Sequence, residues 1–103
     1  RVPVPGGSVV DSVFKLEKSV TIDEINNTVK TAANDEDMKS VVEYSNLPVV
    51  STDIIGNPHS SIFDAPFTKV IDGTLVKTVN WYDNEWGYSN RVADLVNILE
   101  KFN

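Results

Sequence analysis

Cysteine and histidine, two of the side-chain types that most often carry out covalent and acid–base chemistry, are almost absent from this sequence. Cysteine is absent, which removes disulfides, thiolate metal ligands and a cysteine nucleophile together. His59 is the single histidine, and one imidazole does not form a metal site without partners, so we expect a structural or surface role. Asp53 and Asp64 could act as paired carboxylates, but nothing in the sequence brings them together. We therefore predict no catalytic residue and no metal ligand in this chain.

Three side chains have the chemistry for binding. The guanidinium of Arg1 offers a planar fork of donors that matches phosphate, although the residue type alone indicates an ordinary solvated arginine. Asn84 can pair with another amide, but asparagine is also a preferred residue at the start of a helix. Tyr88 is an aromatic residue that could contact a ligand. It also begins the apolar stripe of a helical pattern, so a contact in the core is an equally favoured interpretation. Trp81 and Trp86 are interpreted as packing residues.

Length and composition are typical of one packed domain. The 103 residues are 41% apolar and 23% charged, unlike disordered or fibrous chains. A net charge of −6 repels polyanions, so we expect no nucleic-acid partner, whereas a small anion needs only a few well-placed donors. No apolar run approaches the roughly 20 residues that span a bilayer, so we expect no membrane partner and a cytoplasmic location. Because the sequence opens at Arg1 without methionine, we expect a processed chain or a piece of a longer one.

The elements that must position these side chains begin with a strand and a helix. Residues 8–17 are rich in β-branched side chains on both faces, which predicts a strand covered on both sides. Thr21 and Glu24 have the spacing of a capping box, in which each side chain satisfies a backbone donor at a helix start. An apolar stripe then continues to residues 34–35, which predicts a helix that packs on a sheet.

Short β-prone runs and a final helix make up the remainder. The runs predict strands at 41–44, 49–51, 60–63, 68–71 and 74–81. The last two flank Asp72 and Gly73, which tolerate the positive φ angles of a two-residue hairpin turn. From about residue 85 to 102, apolar residues recur at steps of three and four, which predicts an amphipathic helix. This combination predicts an α+β fold with a mixed, largely antiparallel sheet and helices on one face.

Three segments resemble a known family in the same order. The sequence WYDNEWGYSNRV at residues 81–92 closely resembles a characteristic segment of phosphorylating glyceraldehyde-3-phosphate dehydrogenases. Residues 1–11, with RVP and SVVD, and residues 59–65, HSSIFDA, are similar to the same family. The resemblance covers the whole chain. It implies that residues 1–103 are the C-terminal part of the catalytic domain, without the NAD-binding Rossmann domain and without the segment that bears the family's catalytic cysteine and histidine.

The resemblance also implies a function. The family oxidises and phosphorylates glyceraldehyde 3-phosphate to 1,3-bisphosphoglycerate in glycolysis, with NAD as cofactor and inorganic phosphate as co-substrate, as a cytoplasmic homotetramer. Arg1 matches an arginine of the anion site for substrate phosphate or inorganic phosphate. Asn84 matches an asparagine that hydrogen-bonds the nicotinamide carboxamide, and Tyr88 matches an aromatic residue beside the nicotinamide. This chain alone is expected to be inactive.

Two alternatives stay open at this point. Erythrose-4-phosphate dehydrogenase resembles the chain in the same segments, so the sugar substrate is less firmly indicated than the family. A different class of protein is a non-catalytic structural or interaction fragment. Such a fragment would have unpaired strand edges and exposed apolar surface, which favour self-association or complementation by the remainder of the polypeptide.

Overall fold

Within residues 1–102, which the computed structural model describes, the chain forms five strands, three α-helices and one turn of 3₁₀-helix. In chain order these are β1 (Ser8–Lys15), α1 (Ile22–Ala33), β2 (Val42–Ser45), α2 (Ser51–Ile54), β3 (Ser61–Asp64), the 3₁₀ turn (Ala65–Phe67), β4 (Lys69–Ile71), β5 (Leu75–Tyr82) and α3 (Trp86–Glu100). None of the helices in this part of the chain has the length and apolar character needed to cross a bilayer.

The strands form one mixed sheet in which β5 is central. β1 runs antiparallel to β5 along its whole length, with Ser8 opposite Tyr82 and Lys15 opposite Leu75. The other edge of β5 pairs antiparallel with β4 near its start and with β3 near its end. β2 then lies parallel to β3, which gives the order β1-β5-β3-β2. The predicted α+β class and the mixed, largely antiparallel sheet are confirmed.

One predicted strand is wrong. The β-branched side chains of Val49 and Val50 suggested a strand at 49–51, but α2 begins at Ser51. The carboxylate of Asp53 accepts a 2.8 Å hydrogen bond from the Val50 N–H, so it satisfies a backbone donor at the start of this short helix. A helix of four residues is too short to show a periodic apolar pattern in the sequence.

The hairpin between β4 and β5 is confirmed, but its loop is longer than predicted. Asp72 and Gly73 have φ angles of 50° and 72°, as their residue types favour. Ile71 pairs with Leu75, so Thr74 is a third loop residue rather than the first of the strand. The Thr74 carbonyl instead accepts a 2.8 Å hydrogen bond from the chain just after β1.

The core lies along β3 and β5. Its buried apolar side chains are Ile54, Ile62, Phe63, Ala65, Val76 and Val79. The rings of Tyr44 and Phe63 stack with centroids 6.0 Å apart, which packs β2 against β3. Asp64 is fully buried, and its Oδ2 accepts a 2.8 Å hydrogen bond from the indole N–H of Trp81, which links β3 to β5.

The capping box of α1 is confirmed. The Glu24 N–H donates to the Thr21 hydroxyl at 3.2 Å, and the Thr21 N–H donates to the Glu24 carboxylate at 2.7 Å. α1 lies against β2, with Ile25 and Val29 half-buried. The helix α1 therefore begins where the sequence predicts, and its predicted apolar stripe faces β2.

Candidate functional site

The turn from β5 into α3 directs two neighbouring polar residues to opposite environments. Asp83 is only 8% exposed, whereas Asn84 lies at the surface. Oδ1 of Asp83 accepts hydrogen bonds from the N–H groups of Glu85, at 3.0 Å, and Trp86, at 2.9 Å. The Asp83 carbonyl accepts from the Gly87 N–H at 2.9 Å. These bonds satisfy backbone donors at the start of α3, so Asp83 caps this helix.

The capping role leaves Asn84 free. The sequence allowed Asn84 itself to cap α3, but Asp83 occupies that role in the structure. Among residues 1–102 the structure shows no hydrogen bond from the Asn84 side chain. Its amide therefore keeps both its donor and its acceptor for another molecule.

The second carboxylate oxygen of Asp83 reaches a distant segment of the chain. Oδ2 accepts a 2.8 Å hydrogen bond from the N–H of Gly56, 27 residues earlier, in the loop after α2. The Gly56 hydrogen bond, together with those from Trp86 and Glu85, holds the pKa of Asp83 below its ordinary value, while burial acts in the opposite direction. Asp83 is therefore an ionised acceptor that joins the corner to the α2 loop.

A cavity of about 860 Å³ opens beside this corner. Its lining residues are Arg1, Val2, Val4, Pro5, Gly6, Gly7, Ser8, Val9, Val50, Ser51, Trp81, Tyr82, Asn84 and Glu85. Arg1 and Asn84, which lie far apart in the sequence, thus line one cavity. The other lining residues include the apolar Val2, Val4, Val9, Val50 and Trp81. This combination suits a ligand that has an anionic group, an apolar part and a group able to form hydrogen bonds with an amide.

Close packing on α2 places the segment that carries Arg1. Gly7 has a φ angle of +84°, and a side chain there would meet the Ser51 carbonyl oxygen at 3.3 Å. A side chain on Gly6 would lie 3.6 Å from the Ile55 side chain. Glycine at position 7 therefore permits both the backbone conformation and the close approach. α2 lies between the Arg1 segment and the Asn84 corner.

Tyr88 occupies a different position from the other two predicted site residues. It lies in the first turns of α3 and is 71% exposed, so it is not a core contact within the described part of the chain. Tyr88 is not among the residues that line the 860 Å³ cavity. The structure therefore brings Arg1 and Asn84 together and places Tyr88 on the neighbouring helix surface.

His59 links three segments. Its Nδ1 lies 2.8 Å from Oδ1 of Asn57 and 3.1 Å from the Glu43 carboxylate, and its Nε2 lies 3.1 Å from the Lys39 carbonyl. These contacts join the chain before β2 to the loop before β3. His59 also lines a smaller, open pocket of about 320 Å³ with Lys30 and Tyr44.

The acidic residues considered as a catalytic pair have separate partners. Asp53 bonds the backbone at the start of α2, whereas Asp64 bonds Trp81 in the core. Within residues 1–102 no group of three or more histidine or acidic side chains lies close enough to hold a metal ion.

Asp83 is the functional residue that the sequence analysis missed. Both Asp83 and Asn84 are good capping residues, and either could precede the apolar pattern of α3. No local signal separates the two positions, because each is followed two and three residues later by backbone N–H groups that a capping side chain could reach.

Comparisons with known proteins identify the family to which this chain belongs. Residues 1–84 match the family described as "Glyceraldehyde 3-phosphate dehydrogenase, C-terminal domain". The chain is 52% identical over 101 residues to glyceraldehyde-3-phosphate dehydrogenase of Mycolicibacterium smegmatis, covering 98% of this chain and 29% of that protein. The same figures hold for the protein of that name from Mycobacterium tuberculosis strain H37Rv. The Streptomyces coelicolor protein is 52% identical over 95 residues, 92% of this chain and 28% of its own length.

The chain therefore belongs to the glyceraldehyde-3-phosphate dehydrogenase family and corresponds to its C-terminal domain. It spans less than a third of the length of these relatives, since 29% of the Mycolicibacterium smegmatis protein is covered. The predicted family is confirmed, whereas the roles of Arg1, Asn84 and Tyr88 stay predictions.

Proposed function

We propose that this chain supplies the phosphate-facing and nicotinamide-facing part of an NAD-dependent dehydrogenase. The whole enzyme would oxidise and phosphorylate glyceraldehyde 3-phosphate to 1,3-bisphosphoglycerate in glycolysis. The observation that carries the proposal is that Arg1 and Asn84 line one cavity although they lie far apart in the sequence. Family membership supports the reaction, and the 29% coverage of a relative supports a longer polypeptide as its site.

Arg1 is proposed to bind phosphate. Arg1 is exposed and lines the cavity, and a guanidinium presents parallel donors that match two phosphate oxygens. The anion would be the phosphate of the aldehyde substrate or inorganic phosphate. The net charge of −6 does not oppose this role, because the interaction depends on local donors and is screened beyond about 10 Å.

Asn84 is proposed to orient the nicotinamide ring. NAD, when bound, supplies the acceptor for hydride. A carboxamide both donates and accepts, as does the Asn84 amide, so two hydrogen bonds between them fix which face of the ring meets the substrate. Val9, Val50 and Trp81 in the cavity wall offer apolar surface for a flat ring. Tyr88, one turn further on α3, is proposed to lie beside the nicotinamide when the whole polypeptide closes over it.

The covalent chemistry is assigned to residues outside this chain. Attack on an aldehyde by a thiolate requires a cysteine, and these 103 residues contain none. The family's catalytic cysteine and histidine are proposed to lie in the preceding part of the polypeptide, together with the NAD-binding Rossmann domain. We therefore expect the isolated chain to show no dehydrogenase activity, and the whole enzyme to act as a cytoplasmic homotetramer. Erythrose 4-phosphate is the alternative substrate of the same site.

A second candidate function is that of a non-catalytic structural or interaction fragment. The observation that favours it is the apolar surface of β1, of α3 and of the turn after α3, where Val13, Val96 and Phe102 are largely exposed. Such surface favours self-association or complementation by the remainder of the polypeptide. The mass of the unprocessed protein separates the two candidates. A mass near 11.4 kDa favours the fragment, and a much larger mass means that this chain is a segment of an enzyme.

The enzymatic proposal is tested by replacing Asn84 in the full-length polypeptide. Asn84→Ala removes two hydrogen bonds to the carboxamide, so NAD affinity should fall by about 2 kcal/mol, roughly 30-fold. Asn27→Ala is the matched control, because Asn27 is an exposed asparagine on α1 and does not line the cavity. Isothermal titration calorimetry measures both affinities. Equal NAD affinity in the two variants would contradict the role of Asn84.

A further inference from the structure

Asp83 connects two walls of the cavity and contributes no lining surface to it. One wall is the corner that carries Asn84, and the other is the segment 1–7 that carries Arg1. The Asp83 carboxylate bonds the first wall through Glu85 and Trp86, the residues that follow Asn84. It also accepts a 2.8 Å hydrogen bond from the Gly56 N–H, two residues after the end of α2.

α2 completes the connection. The segment with Arg1 packs on α2 through Gly7, where a side chain would contact the Ser51 carbonyl. Ile54 at the end of α2 is fully buried and anchors the helix in the core. A chain of direct contacts therefore runs from the Arg1 segment through α2 and Gly56 to Asp83. Beyond Asp83 lies the turn that carries Asn84.

We propose that Asp83 is a positioning residue that fixes the Asn84 amide relative to the opposite wall of the cavity. This inference rests on the proposed function, in which Asn84 pairs with the nicotinamide carboxamide. Without the bond to Gly56, the corner keeps its helix cap but loses its link to α2. The Asn84 amide then samples orientations that do not match the carboxamide, and NAD affinity falls because the bound geometry must be selected.

Substitutions of Asp83 can remove its bond to Gly56 while keeping its bonds to the start of α3, because each carboxylate oxygen makes one of these two connections. An asparagine at position 83 keeps one oxygen, which can still accept from the first turn of α3. Because two N–H groups of α3 compete with one from Gly56 for that oxygen, the favoured amide orientation turns the NH₂ group toward Gly56, where a donor meets a donor and the link is lost. A serine at the same position can cap the helix but is too short to reach Gly56. Asp83→Asn and Asp83→Ser therefore both retain a cap and remove the link.

A double-mutant cycle in the full-length polypeptide tests the inference. The proteins are the wild type, Asp83→Asn, Asn84→Ala and the double variant, with NAD affinity measured by calorimetry. Asp83→Asn should weaken NAD binding about tenfold in the wild-type background. In the Asn84→Ala background the same change should alter affinity by less than about twofold, because Asp83 acts only through Asn84.

Steady-state kinetics and a matched control exclude a general loss of structure. Asp83→Asn should raise KM for NAD about tenfold and change KM for inorganic phosphate by less than about twofold, since Gly6 and Gly7 still pack the segment with Arg1 on α2 and Ile55. Thr21→Ala removes a cap of similar strength from α1, which does not line the cavity, and should leave NAD affinity unchanged. Asp83→Ser repeats the comparison if the asparagine variant folds poorly.

The outcomes distinguish this inference from the function on which it rests. A tenfold effect of Asp83→Asn that disappears without Asn84 supports the positioning role. The same effect in both backgrounds, or no effect in the wild-type background, overturns that role and leaves the proposed function in place. Unchanged NAD affinity in Asn84→Ala overturns the proposed function and the positioning role together.

Discussion

The centre of the sheet and the final helix are both rich in apolar residues, but these side chains are buried in the sheet and exposed on the helix. β5 is paired on both edges, and the neighbouring β3 contributes Ile62 and Phe63, which are almost completely buried. α3 also carries an apolar stripe, yet Leu95, Val96 and Leu99 are all more than half exposed. Strand pairing gives the first region partners within the chain, whereas α3 has few.

Contacts near its start hold α3 in place. Gly87 is buried, and a side chain there would lie 3.1 Å from the His59 carbonyl oxygen. Arg91 donates a 2.8 Å hydrogen bond to the Ser40 carbonyl and pairs with Asp94 at 2.9 Å. These contacts show that residues within this chain fix the position where α3 begins. Within residues 1–102 most of the apolar side chains of the helix stay exposed.

The largest effect is expected from truncation in the sheet. Phe63→Ala removes a ring that is 2% exposed and stacks on Tyr44, so the free energy of unfolding should fall by about 3–5 kcal/mol. Chemical denaturation measures this loss. A cost below about 1 kcal/mol would mean that β2 and β3 are not packed as described.

An intermediate effect is expected at the corner that joins the two regions. Asp83→Asn should lower the free energy of unfolding at neutral pH by about 1–2 kcal/mol, because a charged acceptor is replaced by a neutral one. The pKa of Asp83 is lowered in the folded chain by the N–H groups of Gly56, Trp86 and Glu85. The advantage of the ionised carboxylate is therefore fully present above its unfolded-state pKa.

That advantage is lost as the pH falls below about 4, through the lowered pKa of the folded state. The difference in unfolding free energy between the wild type and Asp83→Asn should accordingly shrink on acidification. Denaturation curves of both proteins at several pH values measure it. A difference that stays constant from neutral pH down to about pH 3 would show that the carboxylate charge is not involved.

The smallest effect is expected on α3. Leu99→Ala removes the same atoms as the truncation of a buried leucine would, but Leu99 is 55% exposed in this chain. The free energy of unfolding of the 103-residue chain should change by less than about 0.5 kcal/mol. Denaturation alongside Phe63→Ala gives the direct contrast. Equal losses in the two variants would remove the distinction between the regions.

Local sequence patterns predicted most of the fold because the relevant interactions are short in range. The capping box at Thr21 and Glu24 and the turn at Asp72 and Gly73 depend on neighbouring residues alone. The strand predicted at 49–51 was wrong because a side chain further on, Asp53, bonds the backbone and ends the extended conformation.

The candidate site was predictable in part. Arg1 and Asn84 could be selected by chemistry and family resemblance, and the structure places both on one cavity. The importance of Asp83 could not be predicted, because its link to Gly56 crosses 27 residues and depends on how α2 folds. The apolar period of α3 predicts a helix, but a periodic pattern contains no information about the surface that covers it.

The central claim is that the Asn84 amide faces a pyridine-nucleotide ring in the whole enzyme. A crystal structure of the full-length polypeptide with NAD bound tests it most directly. Our account predicts that the Asn84 side chain lies within hydrogen-bonding distance, about 2.7–3.2 Å, of the nicotinamide carboxamide. A structure in which the carboxamide bonds other residues, with Asn84 directed away from the ring, would contradict it.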